Sequence, residues 1–207
     1  MNDAGRTSHW ENVYTTKREN EVSWFQENPA ASLELIGLAR PVPGSAIIDV
    51  GGGASRLVDC LLHRGFKDVT VLDISAAALD AAKARLGEQA SQVQWITADV
   101  TGWRPDRTFD LWHDRAAFHF LTDPADRAAY VGCLQRSIRP GAHVILATFA
   151  IDGPEKCSGL PVHRYDETGL ARELGDGFQL MQSRRHEHST PWNSMQRFLF
   201  CLFRRAA

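Results

Sequence analysis

The chain has 207 residues, of which 43% are hydrophobic and 23% charged, and its formal net charge at pH 7 is −2. This length suits one domain with a substantial core, and the composition is that of a soluble globular protein. A general nucleic-acid-binding protein would usually present a basic surface, which this charge balance does not favour. We therefore expect no nucleic-acid partner.

The cysteines, Cys60, Cys133, Cys157 and Cys201, are dispersed and form no CxxC pair. Dispersed thiols are typical of a reducing compartment. The opening residues, MNDAGRTSHWENVY, contain no apolar signal core, and no apolar run approaches the length of a membrane span. The sequence thus predicts a cytoplasmic protein with no membrane partner.

The predicted elements begin with a tryptophan-rich segment, residues 1–40, that reads as helical. Beyond it, strands and helices alternate. Strands are predicted at 46–50, 69–73, 93–99, 109–114 and 143–149. Helices are predicted at 55–64, from Ser75 to Gly87, from Asp123 to the RPG sequence at 139–141, and at about 166–174. Apolar strands separated by helices indicate a parallel sheet that is covered on both faces.

The C-terminal third has two successive predicted strands, 178–188 and 196–205, with no helix between them. Such a pair forms an antiparallel hairpin. The second strand is apolar at every position from Phe198 to Phe203, so both of its faces are predicted to be buried. The sequence therefore predicts a single doubly wound α/β domain over residues 1–207. Its seven-stranded sheet would be mostly parallel and end in an antiparallel hairpin.

A glycine turn, Gly51 to Gly53, follows the first strand and precedes a helix. A strand that passes through such a turn into a helix is a common approach to a nucleotide. The dinucleotide fingerprint would place a third glycine at position 56, where this chain has Arg56, and this weighs against NAD. A tight turn without a ligand is the alternative interpretation.

Three acids end the first three strands: Asp49, Asp73 and Asp99. Asp73 is predicted to accept hydrogen bonds from two ribose hydroxyls. Asp99, with the backbone N–H of Val100 beside it, would meet an adenine amine, and Asp49 would face a cationic ammonium group. Each acid alone could merely start a helix or end a strand. Together they suit S-adenosylmethionine, which carries a ribose, an adenine and positive charge but no phosphate.

Four segments carry a resemblance to class I S-adenosylmethionine-dependent methyltransferases: DVGGGAS (49–55), VLDIS (71–75), ADV (98–100) and RPGAHVILATF (139–149). The resemblance covers about residues 40–205. Ser55 stands where many members have another glycine, and we interpret it as a helix cap. The resemblance implies S-adenosylmethionine as cofactor and S-adenosylhomocysteine as product. The implied cofactor contacts are Gly51, Gly52, Gly53, Ile74, Val100 and the three acids.

The fourth strand leads into LWHDRAAFHFL (111–121), the segment that handles the methyl acceptor in this family. Asp114, Arg115 and His119 are therefore the candidate catalytic residues, and Asp114 is also a candidate for cofactor binding. The alternatives are a local ion pair between Asp114 and Arg115 and a structural, hydrogen-bonded His119.

The N-terminal segment resembles the aromatic helix that folds over the cofactor in small methyltransferases. Trp10, Tyr14 and Trp24 would form a lid that excludes water around the sulfonium, with cation–π attraction; ordinary packing is the alternative. The resemblance divides the domain into a lid (1–40), a cofactor-binding core (41–150) and a substrate loop with the hairpin (151–207).

The loop after the fifth strand supplies further candidate substrate contacts: Cys157, His163, Arg164 and Tyr165. Cys157 could join His186 and His188, an H-x-H pair on one face of a strand, in a metal site. The charged neighbours of the two histidines indicate a solvated face instead, so no metal is predicted.

The predicted function is methyl transfer to a small-molecule nucleophile, which is a thiol, another soft anion or an amine. The chain is similar here to thiol-, thiopurine- and tellurite-type enzymes. An amine or hydroxyl acceptor would need a base, and Asp114 or His119 would supply it. Protein-lysine methylation is the second hypothesis, because the chain also resembles methyltransferases that act on elongation factor and citrate synthase. A non-catalytic S-adenosylmethionine-binding protein is the third.

Overall fold

The computed structural model describes residues 3–206. Its helices are α1 (Asp3–Thr16), α2 (Ala30–Ala39), α3 (Leu57–His63), α4 (Ala76–Leu86), α5 (Pro124–Ser137) and α6 (Glu167–Leu174). Its strands are β1 (Ala46–Val50), β2 (Asp68–Asp73), β3 (Val93–Thr97), β4 (Phe109–Arg115), β5 (Ile138–Phe149), β6 (Lys156–Cys157), β7 (Leu160–Pro161), β8 (Phe178–Ser189) and β9 (Met195–Arg205).

Seven strands form one sheet in the order β3-β2-β1-β4-β5-β9-β8. The strands β1 to β5 are parallel, and β9 lies antiparallel between β5 and β8. This order confirms the predicted fold, including the buried reversed strand. Because β1 and β4 are neighbours while the chain runs from β1 to β2, the strand order reverses between them, and ligands of such sheets bind at this point.

Two apolar layers cover the sheet. On one face, α2, α3 and α4 contribute buried side chains such as Leu35, Leu61 and Leu79. On the other face, α5 and α6 contribute Tyr130, Leu134 and Leu170. The central strands are buried on both sides, which explains why their sequences are mostly apolar and do not alternate between apolar and polar residues.

The helix ends follow local sequence signals with two exceptions. Ser75 caps α4, since its hydroxyl accepts from Ala78 N at 3.1 Å. The prediction that Ser55 caps α3 is wrong, because Arg56 occupies the cap position; the Ser55 hydroxyl still accepts from Leu57 N at 3.2 Å. The second exception is the RPG sequence, which lies inside β5. The chain becomes extended at Ile138, which pairs with Phe109, and Gly141 with φ +79 accommodates the irregular start of the strand.

The segment between β5 and α6 contains the short antiparallel pair β6–β7, which the sequence did not predict. In the part of the chain that the structure describes, no helix has the length and apolar character needed to cross a bilayer.

Candidate active site

A cleft opens at the carboxyl ends of β1 to β4, beneath α1, and contains about 760 Å³ of empty space including its mouth. The ends of β1 to β4 and the residues that follow them line the cleft, and the N-terminal segment covers it. The lining comprises Arg6, Trp10, Tyr14, Trp24, Val50, Gly51, Leu72, Asp73, Ile74, Ala98, Asp99, Val100, Arg115, Ala116, Ala117, Phe120, Leu121 and Cys157.

Asp73 lies at the centre of the cleft, at the end of β2. Its Oδ1 accepts from Ser75 N at 2.9 Å, so the turn into α4 fixes the orientation of the carboxyl group. The side chain is almost fully buried. Burial, together with the nearby charge of Asp49, raises the pKa of Asp73 to about 7 against the effect of backbone hydrogen bonds from Ser75 and Gly53.

Asp99 lies at one end of the cleft and is already engaged on both oxygens. Its Oδ1 accepts from Thr101 N at 2.9 Å and from the Thr101 hydroxyl at 2.7 Å. Its Oδ2 accepts from Arg6 Nε at 3.1 Å and Nη2 at 2.9 Å. Burial raises the pKa of Asp99, but the hydrogen bonds from Thr101 and Arg6 outweigh it and hold the pKa below its ordinary value. An adenine amine would have to share this carboxylate with Arg6.

Asp49 lies beneath the glycine turn and is not part of the cleft lining. Its Oδ1 is hydrogen-bonded to His113 Nδ1 at 2.7 Å, and His113 Nε2 is hydrogen-bonded to the Ser32 hydroxyl at 2.8 Å. A Cβ atom at Gly52 would lie 2.7 Å from Asp49 Oδ2, so Gly52 allows the turn to pass directly over this carboxylate. The charge of Asp49 therefore acts electrostatically on Asp73 in the cleft, although Asp49 does not line the cleft itself.

Asp114 is fully buried and holds the turn that follows β4. Its Oδ1 accepts from Ala117 N at 2.9 Å, and its Oδ2 accepts from Phe118 N at 3.1 Å and from the Tyr130 hydroxyl at 2.6 Å. Burial raises the pKa of Asp114 to about 6 against these hydrogen bonds. Because of this turn, the backbone of Ala116, whose φ is +70, and of Ala117 lines the cleft.

Aromatic rings close the cleft from the N-terminal side. Trp10 makes edge-to-face contacts with Trp24 at 5.6 Å and with Phe120 at 4.8 Å between ring centroids. Trp24 Nε1 donates to the Tyr14 hydroxyl at 3.2 Å, and the Trp24 carbonyl accepts from Arg115 Nη2 at 2.7 Å. The predicted lid residues therefore lie over the cleft and are connected to β4 through Arg115.

The chain is similar in sequence and in fold to known methyltransferases. Residues 47–141 match a family described as a methyltransferase domain. Nodulation protein S of Rhizobium tropici is 27% identical over 60% of this chain and 51% of its own length. Thiocyanate methyltransferase 1 of Arabidopsis thaliana is 25% identical over 88% of this chain and 78% of its own.

Among solved structures, the N-methyltransferase NodS of Bradyrhizobium japonicum WM9, in complex with S-adenosylhomocysteine, shares the fold with a TM-score of 0.73, 16% identity and full coverage of both chains. The chain matches a methyltransferase domain over residues 47–141 and shares the fold of an S-adenosylhomocysteine-bound N-methyltransferase along its whole length. It spans about half the length of the curated relatives that match it first.

The glycine turn of the methyltransferase domain fits an adenosyl cofactor. Gly51 has φ +67, and a Cβ atom there would lie 2.5 Å from Ala117 Cβ. Gly53 has φ +42, and a Cβ atom there would lie 2.9 Å from Asp73 Oδ2 and 3.1 Å from the Tyr14 hydroxyl. The glycines therefore let the turn pass close to Asp73 and Ala117, where any side chain would clash. Ile74, Val100 and Leu72 supply apolar lining on either side.

Several predicted site residues lie outside the cleft of the methyltransferase domain. His119 is fully buried, its Nδ1 accepts from Phe149 N at 3.2 Å, and burial lowers its pKa to about 3. Of the loop candidates, Cys157 lines the cleft. In contrast, Tyr165 packs against Phe118, and Arg164 donates to the carbonyl of Gly153.

The histidines of β8 serve the fold. His188 Nε2 is hydrogen-bonded to the carbonyl of Ser23 at 2.7 Å and therefore anchors the segment that carries Trp24. His186 contacts the ring of Phe200. Within residues 3–206, no group of three or more His, Cys, Asp or Glu side chains has the arrangement of a metal site.

Two residues that fix α1 to the core, Arg6 and Glu11, were not predicted from the sequence. Arg6 connects Asp99 to Asp126, whose Oδ2 lies 2.5 Å from Arg6 Nη1. Glu11 accepts from the Ser75 hydroxyl at 2.8 Å and from Ala77 N at 3.2 Å, at the start of α4. Their partners are more than 60 positions away in sequence, and no local pattern marks such contacts.

Proposed function

We propose that the chain transfers the methyl group of S-adenosylmethionine to a small-molecule nucleophile. The observation that carries the proposal is the position of Asp73 beside a side-chain-free glycine turn, in a cleft covered by Trp10, Trp24 and Phe120. When bound, S-adenosylmethionine supplies an electrophilic methyl group on a positively charged sulfur.

The residues that would hold the adenosyl group are distributed along the cleft. In its ionised form Asp73 would accept charge-assisted hydrogen bonds from ribose hydroxyls, and such bonds are the stronger kind. The Ile74 and Val100 side chains line the cleft and would pack against the flat faces of the adenosyl group. The adenine ring would lie near Asp99 and the backbone N–H of Val100, where Arg6 also lies. Asp49 contributes negative charge from beneath the turn.

The lid would exclude water and align the two reactants. Trp10, Tyr14 and Trp24 form a continuous set of ring contacts on the cleft's outer side. A dry aromatic cover favours a reaction in which positive charge disperses, and correct alignment lowers the entropic part of the barrier.

A nucleophile that is already ionised suits this cleft. Asp114 and His119 do not line it, and both are committed to backbone donors. Burial raises the pKa of Tyr14 above its ordinary value and that of Cys157 to about 11, so both keep their protons at neutral pH. A thiolate or another soft anion needs no base from the protein, whereas an amine or a hydroxyl group would. The name of the thiocyanate relative supports the same class.

A size-fractionated labelling assay tests the proposal. The purified chain is incubated with a cell lysate and S-adenosylmethionine labelled on its methyl group, and the label is followed through an ultrafilter. We expect label in a low-molecular-weight product that chromatography separates from unreacted S-adenosylmethionine, and none with Asp73→Asn, while Asp80→Asn on the exposed face of α4 behaves as wild type. Label on a protein band would establish protein methylation instead. Binding without S-adenosylhomocysteine formation would establish a non-catalytic binder.

A further inference from the structure

The cleft contains two arginines in very different electrostatic settings. Arg6 at the adenine end is paired with the carboxylates of Asp99 and Asp126. Arg115, at the end of β4, donates instead to a neutral group, the Trp24 carbonyl. Among the described residues, no Asp or Glu forms an ion pair with Arg115. A guanidinium group has five N–H donors in a fixed planar arrangement, so most of its capacity is not used by this bond.

The surroundings of Arg115 make an unpaired charge costly. Trp24, Cys157 and Ala116 line the same part of the cleft. Asp49 is the carboxylate whose charge acts on Arg115, and it is already hydrogen-bonded to His113 beneath the glycine turn. A cation withdrawn from water without a counterion is unfavourable, and a ligand that supplies the counterion removes this penalty.

We propose that Arg115 is the anion-binding residue of the cleft and that the methyl acceptor carries a negatively charged group, such as a carboxylate or a thiolate. This inference rests on the proposed function for the identity of the acceptor, while the anion site itself stands on the geometry of Arg115. A cationic lysine side chain would be repelled at the same place.

The position of Arg115 suits an acceptor. The acids Asp73 and Asp99 line the β2 and β3 ends of the cleft, whereas Arg115 and Cys157 line the β4 and β6 side beneath Trp24. The planar guanidinium group can engage a carboxylate with two parallel hydrogen bonds, which fixes orientation as well as charge. The carboxylate of the cofactor's amino-acid group has the same chemistry, so the test must distinguish the two sources.

Calorimetry with paired probes provides this test. Benzoate and benzamide have the same shape and differ in charge, and both are titrated into the protein with and without saturating S-adenosylhomocysteine. We expect benzoate to bind wild type about tenfold more tightly than benzamide, as for a hydrogen-bonded charge. Arg115→Met should abolish this preference and Arg115→Lys should retain part of it, while Arg136→Met, an exposed arginine of α5, leaves it unchanged.

Because Arg115 also contacts the lid, its substitution can weaken every ligand together. The ratio of the two probe affinities is insensitive to such a general loss, and melting curves identify a variant that does not fold. If Arg115→Met does not fold, Arg115→Lys provides the test, because it keeps the charge and changes only the hydrogen-bonding geometry.

The cofactor is tested separately with S-adenosylhomocysteine and 5′-methylthioadenosine, which lacks the amino-acid group. If Arg115→Met lowers the affinity for the first relative to the second and leaves the benzoate preference intact, Arg115 binds the cofactor carboxylate and our proposal is wrong. Equal binding of benzoate and benzamide to wild type would also overturn it. If wild type binds neither adenosyl compound, the proposed function fails while the anion preference is still measured.

Discussion

Arg6 of α1 and Asp99 at the end of β3 are joined by two hydrogen bonds, from Nε at 3.1 Å and from Nη2 at 2.9 Å to the same carboxylate oxygen. The pair is mostly shielded from solvent, and the same guanidinium group also reaches Asp126 on α5. One arginine therefore attaches the covering helix to both the β3 end of the cleft and the opposite helical layer.

Removing this attachment should loosen the lid. We expect Arg6→Ala to increase hydrogen exchange in residues 5–16 and to weaken S-adenosylhomocysteine binding about tenfold, as for the loss of hydrogen bonds between charged groups. Hydrogen-exchange mass spectrometry and calorimetry measure the two effects. Arg172→Ala, an exposed arginine of α6, is the matched control. Unchanged exchange in α1 would show that other contacts hold the helix.

Asp114→Ala should primarily destabilise the fold. The substitution leaves the N–H groups of Ala117 and Phe118 and the Tyr130 hydroxyl without their acceptor in a buried place. We expect the free energy of unfolding to fall by about 2–4 kcal/mol, measured by urea denaturation. Asp176→Ala, at an exposed position, should change it little. A variant of wild-type stability with reduced turnover would favour a direct catalytic role for Asp114.

The affinity for adenosyl ligands should depend on pH through Asp73. Its pKa in the free protein is raised to about 7, and the ionised form is the better acceptor for ribose hydroxyls. We expect the affinity for S-adenosylhomocysteine to fall as the pH decreases from 8 to 6, approaching about tenfold per pH unit below the pKa. Calorimetry at several pH values measures this. Asp80→Asn should keep the slope and Asp73→Asn should lose it; a flat wild-type profile would contradict the ribose assignment.

The same pKa affects the stability of the ligand-free protein in the opposite sense. Because the folded pKa lies above the unfolded value of about 3.9, the contribution of Asp73 is complete below that value. It is lost as the pH rises through about 7. A bound ligand that favours the ionised form reverses this trend.

His119 should remain neutral throughout the physiological range, because burial lowers its pKa to about 3. Its carbon-bound ring proton should show no titration between pH 5 and 8 in an NMR series. The lowered folded pKa also means that stability contributed by His119 is present above about pH 6.5 and is lost as the pH falls towards 3. A His119 signal that titrates near pH 6.5 would reopen its role as a base.

The sequence predicts the architecture well because its signals are local. Apolar runs mark β1 to β5, and the continuous apolar stretch from Phe198 to Phe203 correctly identifies β9 as buried on both faces. Asp73 and Asp99 reach the cleft, as predicted, because parallel strands end at one edge of the sheet.

The side-chain partners could not be predicted in the same way. Asp49 ends a strand just as Asp73 does, but His113 from the neighbouring strand and the glycine turn above it keep Asp49 beneath the cleft. Asp114 turns towards Tyr130 on α5. These outcomes depend on which elements become neighbours in space, and the sequence alone specifies this only through the whole fold. The binding and catalytic roles of these residues remain predictions.

The antiparallel placement of β9 between β5 and β8 has a consequence for synthesis on the ribosome. The five parallel strands can assemble once residue 149 has emerged, but the outer edge of β5 then has unpaired backbone groups. The strand that covers this edge, β9, is translated more than 40 residues later and must insert between β5 and β8. During that interval the nascent domain exposes an aggregation-prone edge, so a slow translation rate over residues 150–195 would prolong its exposure to other chains.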